Sequence, residues 1–119
     1  MTITGQLRIS ILHPEGGMSP AKFRAWLRTE ATSIQSTAGE NDIIVIRLFL
    51  PARILSSITQ RKIDVLLSEI VNKHANIHRV ELRTVAANLT HDEMSSAVDE
   101  AHHDIEMMLK EVPPPDTIH

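Results

Sequence analysis

Three features of the 119-residue chain predict an α/β fold with the element order β-α-β-α-β-α. The run 43–50 is apolar at every position except Arg47. Segments 7–11 and 77–87 flank it, each alternating apolar and polar residues. Amphipathic stretches with helix-start signals lie between and after these segments. A run that is apolar on both faces reads as an inner strand. The expected sheet therefore has three mainly parallel strands, with 43–50 in the middle and the helices packed mainly on one face. The length suits one small domain, read as 1–112, followed by a proline-rich tail over 113–119.

In the first strand, Leu7, Ile9 and Ile11 alternate with Arg8 and Ser10, so one face is apolar. Ser19-Pro20 is an N-cap followed by proline at the first helical position, where the missing N–H costs nothing. The helix it opens runs over 20–38 with Phe23, Trp26, Leu27, Ala31, Ile34 and Ala38 on its inner face. Gly39 is read as a left-handed C-cap. After the middle strand, Pro51 starts a helical stretch whose apolar stripe changes phase. Ile54, Leu55 and Ile58 define one direction, and Ile63, Leu66, Leu67, Ile70 and Val71 another, which predicts a break at 57–60 with Thr59 capping a second helix. Asn76 is expected to take a left-handed exit from it. Val80 and Leu82 form the inner face of the third strand, opposite Arg79, Glu81 and Arg83. Thr90 and Glu93 then make a capping box for a last helix with Met94, Ala97, Val98, Ala101, Ile105, Met108 and Val112 on one stripe.

Composition narrows the function classes. There is no cysteine, which removes disulfides, cysteine-ligated zinc and thiol nucleophiles. A net charge of −3 provides no global field for nucleic acid or anionic lipid. Phe23, Trp26 and Phe49 are the only aromatic residues, which weakens mechanisms that stack bases on rings. The first residues lack a signal-peptide pattern and no apolar run reaches membrane length, so a soluble, cytoplasmic protein is expected.

Strand parity then assigns surfaces. With both connecting helices on one side, the opposite sheet face is expected to show Val45, Arg47 and Phe49 beside Arg8, Arg79 and Arg83. An apolar stripe there needs a cover: the last helix with Arg47 paired to Glu81, a second copy, or another partner. The preferred reading is a non-enzymatic protein-interaction module that self-associates through this face or an edge strand. The alternative is a small RNA- or single-strand-binding domain using the arginines. A second alternative is a small-ligand or metal site at the strand C-terminal ends, gathering His13, Glu15, Gly16, Gly17, Arg53 and His91. No catalytic residue, cofactor or metal is assigned, and no membrane association is expected. Glu30 on an apolar helix face and the His102–His103 pair near Asp99 and Glu106 are read as rim and solvated positions. A further basic set, Lys22, Arg24 and Arg28, lies on the first helix.

Overall fold

The structure, a computed structural model, describes residues 5–15, 17–85 and 89–111. The elements are β1 (Leu7–Leu12), α1 (Pro20–Ser36), β2 (Ile43–Pro51), α2 (Ala52–Ser57), α3 (Gln60–Lys73), β3 (Ile77–Val85) and α4 (His91–Glu111). They form one α/β domain with a parallel sheet of order β1-β2-β3. Positions 86–87 of the expected third strand, Val112 and the expected tail over 113–119 lie outside the described residues.

The local signals act as the sequence suggests. Ser19 accepts a hydrogen bond from the Lys22 N–H and Pro20 occupies the first turn of α1. Thr59 caps α3 in the same way, so the change of stripe phase is a true break between α2 and α3. Thr90 and Glu93 make the reciprocal capping box: the Glu93 N–H donates to Thr90 Oγ1 at 3.1 Å, and the Thr90 N–H to Glu93 Oε1 at 3.1 Å.

Two expected left-handed turns do not occur, because no described residue has a positive φ. α1 ends at Thr37 in a right-handed conformation, and the Gly39 N–H is instead fixed by Asp42 Oδ2 at 2.8 Å. Asn76 closes its turn with its side chain, donating from Nδ2 to the carbonyls of Gly39 at 3.0 Å and Asp42 at 2.9 Å. Its own N–H donates to Gln35 Oε1 at 3.0 Å. One amide thus ties the loop before β2 to the turn before β3, satisfying carbonyls that a positive φ would otherwise have had to redirect. Gly5 lets the start of β1 approach this loop, since a Cβ there would collide with the Asn41 carbonyl oxygen.

β2 is buried on both sides. Ile44, Ile46, Leu48 and Leu50 are fully buried against Phe23, Leu27 and Ala31 of α1, Ile54 of α2, and Ile63, Leu66 and Ile70 of α3. Val45 and Arg47, of opposite parity, are each 2% exposed. Their cover is α4, which packs against β1, buries Ala97 and Ala101, and reaches Arg47 through Asp104. The result is three layers: α1, α2 and α3 on one face of the sheet and α4 on the other. Both faces of the middle strand are dry, which is why its sequence is apolar without alternation.

Candidate interaction site

The face expected to be open is closed by α4. Arg47 reaches Glu81 with Nη2 at 3.0 Å and Nε at 3.1 Å, and Asp104 of α4 with Nη1 at 2.9 Å. Burial alone would disfavour the guanidinium charge. The hydrogen bond to Glu81 and the ion pairs with Glu81 and Asp104 outweigh it, so the pKa of Arg47 lies above its ordinary value, although Nη1 meets Asp104 as an ion pair without hydrogen-bond geometry. Arg79 joins the same carboxylate of Glu81 at 3.0 Å, and Arg83 stands 4.0 Å from Glu100 of α4. This is an ion-pair network that fixes α4 on the sheet. Val45 is buried with it and Phe49 is half-buried.

Arg8 does not belong to this face. Register places Arg8 beside Ile44, while Ile9 and Ile11 stand beside Val45 and Arg47. The apolar side of β1 therefore turns toward α4, the helix that contacts β1 most, and not toward α1. Arg8 approaches Asp42 at 3.6 Å instead. The sequence shows which residues of β1 alternate, but the layer receiving the apolar set depends on where α4 lands.

The strand-end residues are brought together only in part. His13 spans the gap between layers: its Nδ1 lies 3.1 Å from the Phe49 carbonyl oxygen, and its Nε2 lies 3.0 Å from the Leu89 nitrogen. A carbonyl can only accept and a backbone N–H can only donate, so the ring is the neutral Nδ1–H tautomer in this arrangement. His13 thereby joins the end of β2 to the segment entering α4, two residues from His91. Glu15, Gly17, Arg53 and His91 are exposed, and Gly16 lies outside the described residues. Among the described residues, no three His, Asp or Glu side chains gather in a way that could hold a metal ion. Glu30 is half-buried at the rim of α1.

The sheet edges carry their own protection. β3 places His78, Arg79 and Arg83 in solvent along its length, and its register with β2 slips between Ile44 and Val45. Charged side chains and bulges are features that disfavour edge-to-edge pairing.

A different surface stands out on the opposite side of the molecule. Between α1 and α3 runs a groove of about 920 Å³ lined by Arg24 and Arg28 from α1 and by Arg61, Lys62, Val65 and Glu69 from α3. Val65, one of its lining residues, is 63% exposed. An apolar notch of about 120 Å³ adjoins it, walled by Phe23, Ile58, Ile63 and Leu66 and rimmed by Arg24 and Lys62, which line both. A cavity of about 150 Å³ holds a benzene-sized group, so the notch suits about one aliphatic side chain.

Four cations face two carboxylates in the groove, Asp64 and Glu69, a balance of +2 within a chain of net −3. Glu69 is engaged by Arg28 at 3.1 Å and Lys73 at 3.2 Å, with Arg28 the larger cause of its lowered pKa. Arg24, Arg61 and Lys62 have no side-chain ion pair among the described residues, so their charge is available to an incoming group. No sequence motif marks this groove. Its signal was Val65, a β-branched residue out of phase with the stripe Ile63, Leu66 and Ile70, together with basic residues at helical spacing on α1.

No protein-family model matches the chain, and neither does any curated protein or solved structure.

Proposed function

We propose that the protein is an interaction module whose docking surface is the groove between α1 and α3, taking an acidic segment that carries an apolar anchor. The supporting observation is the combination of exposed Val65 in the groove, the apolar notch adjoining it, and Arg24, Arg61 and Lys62, which have no side-chain ion pair among the described residues. An apolar seat within a charged rim is the anatomy of a protein interface, in which a central side chain anchors and the rim charges steer. The arginines that suggested nucleic acid do not form a comparable free surface. Arg47 is sealed beneath α4, and Arg79 and Arg83 each face a carboxylate. The sheet face that suggested self-association is likewise occupied by α4, which moves the candidate surface to the other helix layer.

A synthetic amphipathic helix of leucine and glutamate, titrated against the isotope-labelled protein, tests the reading. Saturable NMR shifts centred on Val65, Arg24 and Lys62, weakened by salt and lost in Arg61→Glu with Lys62→Glu, are expected. The same reversal places acidic residues in the first turn of α3, where they favour the helix, so the variant should fold. The absence of saturable shifts, or shifts concentrated elsewhere, refutes the proposal. Tighter binding of an oligouridine at the same residues would overturn it in favour of nucleic acid.

A further inference from the structure

α4 is the acidic counterpart of the groove. Its sequence holds seven carboxylates and one lysine. Helical geometry sets Asp92, Asp99 and Glu106 on a single stripe, diametrically away from the buried Ala97 and Ala101. Asp99 and Glu106 are two turns apart, about 10 Å along the axis. Both are exposed and, among the described residues, neither has an ion-pair partner. Val98 and Leu109, 38% and 59% exposed, lie together about a quarter turn round the helix from this stripe, where an aliphatic side chain could enter the notch. Acid and apolar groups on α4 thus match base and apolar seat on α1 and α3.

Within one chain the two surfaces cannot meet, because the sheet lies between them. Between chains they can. Resting on the docking role of the groove, we propose that its occupant is the outer face of α4 from a second copy, so that the protein assembles head to tail. Such a contact joins two different patches and is heterologous. Repetition yields a ring where the rotation closes and an open chain where it does not, rather than a dimer that buries both patches symmetrically. Exposed charges provide much of the match, so the assembly is sensitive to ionic strength.

Sedimentation velocity of the full chain over a concentration series tests this at low ionic strength and again in about 1 M salt, where the Debye length falls to about 3 Å. Association beyond the monomer at low salt, reversed at high salt, is expected. Arg61→Glu with Lys62→Glu on the groove, or Asp99→Lys with Glu106→Lys on α4, weakens it about a hundredfold or more, since each juxtaposes like charges. The decisive sample is a mixture. In the groove variant both surfaces are acidic, and in the α4 variant two of the three stripe charges are reversed to face a basic groove, so each alone stays monomeric and the two together assemble through the native α4 of one and the native groove of the other. A wild-type chain that remains monomeric at every concentration overturns the proposal. So does association indifferent to both reversals, or failure of the two variants to combine. If the leucine–glutamate helix still binds the groove while the full chain stays monomeric, the self-assembly proposal fails and the docking surface stands.

Discussion

Replacing Arg47 by methionine isolates the charge that holds α4, because methionine retains much of the length and apolar bulk of the arginine stem. Arg47 is 2% exposed, while Glu81 and Asp104 are 25% and 29% exposed. A charged hydrogen bond contributes about 1.5–3 kcal/mol, and breaking a buried pair from one side costs about 3–5 kcal/mol. Here Glu81 keeps Arg79, and both carboxylates have some access to water, which discounts the loss. The net cost of Arg47→Met is therefore about 3 kcal/mol. Taking a urea m-value of about 2 kcal/mol/M for a domain of this size, the unfolding midpoint drops by about 1.5 M with m unchanged. A second variant separates lost charge from lost packing. Arg47→Met combined with Glu81→Leu and Asp104→Leu removes all three buried or half-buried groups, and replacing a whole buried network by apolar residues is often neutral or stabilising. The triple variant should recover at least half of the loss. A single substitution costing less than about 1 kcal/mol, or a triple variant no more stable than the single one, would refute the assignment of Arg47 as the electrostatic anchor of α4.

Two further substitutions probe the loop before β2 and the His13 bridge to the segment entering α4. Asp42 accepts hydrogen bonds from Gly39 and Gln6, and these, ahead of the charge of Arg8, hold its pKa below the ordinary carboxylate value. A depressed carboxylate contributes stability above its unfolded pKa of about 3.9 and loses it as pH falls through the folded value. Thermal scans should therefore show the melting temperature falling below about pH 5 less steeply in Asp42→Asn than in the native chain; equal slopes would contradict this. His13→Phe removes both the donor to Phe49 and the acceptor for Leu89, at a cost of about 1–2 kcal/mol measured by denaturant unfolding. Nitrogen-15 NMR of the native ring should show the Nδ1–H tautomer, and an Nε2–H form would exclude the bridge.

Much of the fold is legible in the residues because local signals there agree with the tertiary structure. Ser19-Pro20, Thr59 and the Thr90–Glu93 pair place helix starts through bonds that close within one turn, so no distant contact is needed. The apolar run of β2 announces burial on both faces, whatever provides the cover. The turns at Gly39 and Asn76 escaped sequence reasoning because glycine and asparagine also serve by close approach and side-chain hydrogen bonding, not only by positive φ.

The order of elements, the middle strand, the helix break and the pairing choice offered to Arg47 are all written in the residues. Those follow from periodicity and short-range chemistry. Which layer covers Val45 and Arg47, which way β1 turns its apolar side, and the meeting of Arg24, Lys62 and Val65 in one groove depend on how the elements assemble. Alternation along a strand defines two faces but does not say which helix meets either one. That is settled when α4 folds back across β1, a long-range contact that no local pattern encodes.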